Sequence, residues 1–164
     1  MFFLLLAVSF VAFIFFIRPK PIKFATAMLE GKFSISIPEY LIKKDSICND
    51  AVLQYDNEQE NIFLAVYEHH DSASIQDIFK RSAGGYVSTI EHGTLQKYYP
   101  EKINGHDAFI GNIRGSVKET KVYYRMAVIQ CAHGALEIVI GTGNDNESRF
   151  TEDMDTIIHS IQPE

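Results

Sequence analysis

Cys48 and Cys131 are the two cysteines of the sequence, and their pairing is the first chemistry to weigh. An even count permits a disulfide in an exported chain, and closing a loop of about 80 residues would contribute on the order of 4 kcal/mol by chain entropy. Such a bridge needs Cα atoms within about 7 Å. The alternative is two separate, small, half-apolar residues. Six histidines raise metal binding, with His69-His70-Asp71 the densest cluster. Neighbours on an extended chain point to opposite sides, so two adjacent imidazoles do not share one ion. His92, His106, His133 and His159 stand at glycines or element ends, and none has the spacing of a zinc site. Gly141-Thr142-Gly143-Asn144 lacks the third glycine of a dinucleotide loop and the lysine of a Walker loop. The acids Asp145, Glu147, Glu152 and Asp153 follow it, so it reads as a turn leading into a helix. There is no G-x-S-x-G, and Cys48 has no partner histidine at motif level. Tyr98-Tyr99 and Tyr123-Tyr124 put one ring of each pair on each side of a strand, for a partner or for a helix packed above. These residues designate no catalytic, cofactor-binding or metal site, and the possible disulfide Cys48–Cys131 is the one pairing they offer.

The elements that hold them follow from hydrophobic period. Phe33, Ile35 and Ile37 alternate with Lys32, Ser34 and Ser36, a half-buried strand stopped by Pro38. Residues 51–55 and 61–68, separated by the acidic turn Asp56 to Glu60, predict a hairpin. In the second strand Ile62, Leu64 and Val66 form one face and Phe63, Ala65 and Tyr67 the other, so both faces require cover. Ser74 with Asp77 three residues on predicts a capped helix start. Ile75, Ile78, Phe79, Ser82, Tyr86, Val87 and Ile90 continue it at helical spacing, weakened at Gly84-Gly85. Strands are predicted at 95–102, 106–114, 120–131 and 135–142, with Asn104-Gly105 as a tight hairpin turn. Phe150, Met154, Ile157, Ile158 and Ile161 mark a closing amphipathic helix capped by Asn144 or Asn146. Strands, helix, strands, helix is an α+β order with an antiparallel sheet, not a doubly wound parallel one.

Residues Phe2 to Ile17 are apolar except Ser9. Sixteen residues at about 1.5 Å rise cover about 24 Å, enough to span a bilayer once Met1 and a snorkelling Arg18 are added. The segment reads as an uncleaved anchor in preference to a cleaved signal, because the only small-x-small site, Ala25-Thr26-Ala27, lies behind Arg18, Pro19, Lys20 and Pro21. The expected organisation is an anchor or signal at 1–18, a linker at 19–29 and a domain at 30–164. The sequence carries 15 basic and 21 acidic residues. Three of the basic residues, Arg18, Lys20 and Lys23, lie next to the apolar segment, where they suit a membrane surface. From residue 24 onward 12 basic residues face 21 acidic, a net of −9, which excludes a nucleic-acid binder.

The segments F-S-I-S-I-P-E-Y-L (Phe33 to Leu41), N-D-A-V-L-Q-Y-D-N (Asn49 to Asn57), E-N-I-F-L-A-V-Y-E (Glu60 to Glu68) and I-N-G-H-D-A (Ile103 to Ala108), with the closing I-I-H-S-I, resemble the bacterial PsbP-related proteins over residues 30 to 162. The resemblance implies an α/β/α sandwich with a central antiparallel sheet of about six to seven strands between helices. It further implies export behind a signal or lipid anchor, and no known catalysis. The sequence departs from the usual member in having no lipobox cysteine, so its anchor is peptide or is cleaved. The expected function is a non-enzymatic, membrane-tethered binding or assembly module of the cell envelope, with no cofactor and an unnamed protein partner. The alternatives are an enzyme or metal-dependent hydrolase whose site assembles only in the fold, and an anchored adaptor facing the cytoplasm. Resemblance puts the domain on the periplasmic side, whereas the cations flanking the span pull it inward.

Overall fold

The computed structural model describes residues 22–163 apart from Glu30 and Ser46. The expected anchor, residues 1–18, lies outside the described residues. Among those described, no helix is long and apolar enough to cross a membrane.

The strands are β1 (Phe24–Leu29), β2 (Phe33–Pro38), β3 (Ile42–Lys43), β4 (Leu53–Asn57), β5 (Ile62–His69), β6 (Glu91–Ile103), β7 (His106–Val117), β8 (Thr120–Cys131), β9 (Gly134–Gly143) and β10 (Gln162–Pro163). Helix α1 (Ile75–Thr89) joins β5 to β6, and α2 (Glu147–Ser160) follows β9 through a single 3-10 turn, Asn144–Asn146. Seven strands form one antiparallel sheet in the order β3-β4-β5-β9-β8-β7-β6, and β1-β2-β10 form a second, smaller one.

Two cores lie on opposite faces of the large sheet. On one face Ile62, Leu64, Val66, Ile138 and Ile140 meet Phe33, Ile35 and Ile37 of β2 and Phe150, Met154, Ile157 and Ile158 of α2. On the other face Ile113, Met126, Val128 and Val139 meet Ile78, Phe79 and Ala83 of α1. The result is the helix-sheet-helix sandwich that the resemblance implied. Burial on both faces accounts for the apolar run of β9, in which every residue after Gly134 is buried.

Local chemistry sets the ends. Ser74 caps α1, accepting from the Asp77 amide at 3.2 Å and donating its hydroxyl to the Asp77 carboxylate at 2.7 Å. Asn104 and Gly105 both take positive φ, 48° and 88°, as a two-residue hairpin turn requires. The Asn104 amide also donates to the Ile161 carbonyl at 2.6 Å, tying that turn to the end of α2.

Three expectations change. Residues Phe24–Leu29, read as the end of the linker, form β1 in register with β2; none of them is fully buried, so the sequence carries no alternation to reveal the strand. Strand β6 begins at Glu91, four residues early, because register shifts absorb Gly93 and His92 takes a positive φ of 55°. Asn146 stands at the α2 cap without a side-chain cap bond and donates instead to the Glu60 carbonyl.

Candidate functional site

The strongest polar feature on either face of the large sheet is Glu137. It lies in the otherwise apolar sequence Ala-Leu-Glu-Ile-Val-Ile of β9, and the period of two turns it toward α1, away from Leu136 and Ile138. It is 3 % exposed. A carboxylate taken from water requires hydrogen bonds. Ser82 of α1 donates its hydroxyl to Glu137 Oε2 at 2.6 Å, and His69 of β5 donates Nε2–H to the same oxygen at 2.7 Å.

Glu137 and His69 floor a cleft of about 560 Å³ walled by Ser82, Gly85, Tyr86 and Thr89 of α1, with Asp50 and Tyr67 opposite. Gly85 leaves that wall open, since a Cβ there would meet nothing within 4 Å. The far wall belongs to the segment before β4, which Gln54 pins: its side-chain carbonyl accepts from the amides of Ile47 and Cys48 at 2.8 and 2.7 Å, and its amide donates to the Cys48 carbonyl at 3.0 Å. That segment sets Cys48 beside Tyr67, whose hydroxyl neighbours that of Tyr86. Burial raises both phenols well above the ordinary tyrosine range. The Cys48 sulfur adds to the effect on Tyr67, and the Glu137 charge to that on Tyr86. Both rings therefore present O–H groups, not phenolates.

The arrangement differs from a serine–histidine relay, in which the imidazole accepts the hydroxyl proton. Here Ser82 and His69 both donate to the same oxygen of Glu137.

The sequence-derived candidates fall in separate places. Cys48 and Cys131 are both free and are not brought together: Cys48 adjoins Tyr67 on the α1 face, while Cys131 packs against the core on the α2 face. His69 and His70 diverge as an extended chain requires, His69 to Glu137 and His70 to the exterior near Glu68. Among the described residues, no three His, Cys, Asp or Glu side chains are grouped to hold a metal ion. The tyrosine pairs split across the sheet. Tyr98 stacks on Phe79 of α1 at 5.5 Å, and Tyr99 meets Arg125 under α2. Tyr123 is buried on the α2 face, and Tyr124 meets Tyr86 edge-on at 6.0 Å. Gly143 runs directly into the turn before α2, as expected. Glu137, Ser82 and Gln54 were not singled out from sequence. The one available signal was a lone charge inside an apolar strand.

Among solved structures, the chain is similar to cyanobacterial PsbP (CyanoP) from Synechocystis sp. PCC 6803, with a TM-score of 0.65 at 13% identity over 90% of this chain and 95% of that one. The fold is PsbP-like. It is also similar to the Saccharomyces cerevisiae Ran-binding protein Mog1p, TM-score 0.56 at 10% identity over 86% and 95% of the two chains. A third similar structure is LpqN, involved in cell envelope biogenesis of Mycobacterium tuberculosis, TM-score 0.54 at 10% identity over 90% and 94%. No family model matches the sequence, and no curated protein matches it.

Proposed function

We propose that the chain is a non-enzymatic binding module that holds a protein partner in the cleft between α1 and the segment before β4. Residues 1–18 tether it to a membrane, and the domain stands on the extracytoplasmic side. The observation that carries the reading is the buried Glu137 carboxylate at the floor of an open cleft, held in place by Ser82 and His69 and flanked by two protonated tyrosines. Such a floor is fixed before anything binds, so a ligand does not bear the cost of ordering it. Fold likeness supports the reading by analogy alone, through a Ran-binding protein and a protein of envelope biogenesis. The apolar segment Phe2 to Ile17 supports the tether.

A photo-reactive phenylalanine analogue at position 89, on the exposed rim of the cleft, in the full chain in its own membranes, tests the partner. The expected result is a discrete protein adduct from position 89 and none from position 152, exposed on α2. Equal labelling from both positions, or none from 89, contradicts the proposal. A membrane-impermeant maleimide applied to intact cells with a permeabilised outer membrane tests the side. Labelling of Cys48 or Cys131 before lysis is expected, and labelling only after lysis places the domain in the cytoplasm.

A further inference from the structure

We infer that the cleft recognises a basic side chain, lysine or arginine, of an extended polypeptide, and that the same polypeptide seats an apolar side chain four residues away in a second recess over Gly141. The inference rests on the binding reading above and adds the chemistry of the ligand.

The charge argument starts from Glu137. Both of its hydrogen bonds end on Oε2, so the lone pairs of Oε1 are left to whatever enters the cleft. The cleft lining contains no lysine or arginine to pair with that carboxylate. Asp50 at the rim adds a second negative charge. Glu68, also at the rim, is already paired with Lys32 at 2.7 Å. A cation entering beside Tyr67 and Tyr86 meets a buried, pre-oriented carboxylate, which suits ammonium or guanidinium and disfavours an anion.

The second recess lies on the same face of the sheet, outside the cover of α1. It measures about 330 Å³ and is lined by Phe63, Val117, Val122, Tyr124 and Gly141, among others. Gly141 is required there, since a Cβ would come within 2.2 Å of the Phe63 ring. Glycine therefore lets the Phe63 ring pack close to the backbone, where it forms an apolar floor.

A line of half-buried rings joins the two recesses. Phe63 meets Tyr124 edge-on at 5.7 Å, Tyr124 meets Tyr86 edge-on at 6.0 Å, and Tyr86 adjoins Tyr67. Glu137 and Gly141 are four residues apart on β9, which is about 13 Å at the rise of a strand. An extended ligand running alongside covers that distance in four residues and turns both side chains to the same side. Partly exposed aromatic rings beside a desolvated charge are the composition of a recognition surface.

The test uses the full-length chain in detergent and a blocked seven-residue peptide with lysine at its second position, leucine at its sixth, and threonine and glycine elsewhere. Affinity is read by isothermal titration. The inference predicts at least tenfold weaker binding when norleucine replaces lysine, when leucine moves one position nearer, and when Glu137→Gln replaces the carboxylate with an isosteric amide. Gly85→Leu, which fills the wall where a Cβ meets nothing, is expected to abolish binding while the thermal melt is kept. Equal affinity for the lysine and norleucine peptides, with both blocked by Gly85→Leu, overturns the basic-side-chain inference and leaves the binding cleft standing. Binding of the lysine peptide that Gly85→Leu leaves unchanged overturns the inference, because it places the peptide elsewhere. Absence of all peptide binding, together with a partner adduct at position 89, also overturns it. Absence of both peptide binding and adduct removes the binding reading as well.

Discussion

Single residues in this chain hold elements together through polar contacts placed where apolar packing ends. Arg125 is the buried example. It donates to Asp155 of α2, to Asn112 of β7 and to the Tyr99 hydroxyl, so its charge is paired once and hydrogen-bonded twice more under the helix. Tyr40 donates its hydroxyl to the buried Asp153 at 2.7 Å, and burial, with that bond, pushes its phenol far above the ordinary range. His159, in the last turn of α2, is half exposed and titrates within reach of experiment. Burial acts to lower its pKa, but the Asp155 carbonyl at 2.7 Å and the Glu101 carboxylate at 3.1 Å outweigh it, and the net direction is upward. A folded pKa above the unfolded one, about 6.5, means that the protonated ring stabilises the fold. That contribution is fully present below about pH 6.5 and is lost as pH rises through the folded value. Melting curves at pH 5.5 and pH 8.5 are expected to show a larger drop for the wild type than for His159→Gln. Equal drops contradict the contact geometry. Exposure of the ring limits the effect to a fraction of a kcal/mol to about 1 kcal/mol.

At the scale of elements, α2 and the large sheet depend on each other for burial. Ile157 is fully buried among residues of both sheets, so Ile157→Ala is expected to cost roughly 2 to 5 kcal/mol. Urea unfolding measures it, and an unchanged midpoint contradicts the packing. What the sequence made legible here was local. Phe33, Ile35 and Ile37 alternate because one face of β2 is buried, Ser74 and Asp77 cap a helix within one turn, and Asn104-Gly105 closes a hairpin on its own. What it hid was contact at a distance. Strands β3 and β10 have two residues each and exist only through pairing with β4 and β2, and β1 shows no burial contrast. The cleft was hidden for the same reason. Ser82, His69, Tyr67 and Glu137 come from α1, β5 and β9, and 68 residues separate His69 from Glu137, so no spacing rule connects them. The glutamate between leucine and isoleucine in a buried strand was the readable trace, because a charge there must have partners.

For the whole molecule, the two faces of the large sheet have different fates. The α2 face is closed by a helix and by a second sheet, whereas α1 covers only the β6-β7-β8 side of its own face. The uncovered part carries the cleft and the line of aromatic rings. The acidic balance, −9 from residue 24 onward, suits the basic ligand inferred for the cleft, and Arg18, Lys20 and Lys23 suit the proposed membrane tether. The measurement that tests the account most directly is hydrogen exchange, read by mass spectrometry on the full-length chain in its own membranes and again after purification in detergent. The account predicts slower exchange in the membranes for peptides covering 47–52 and 82–89, which wall the cleft, and unchanged exchange along α2. Equal exchange in both samples at 47–52 and 82–89, or protection confined to α2, contradicts it.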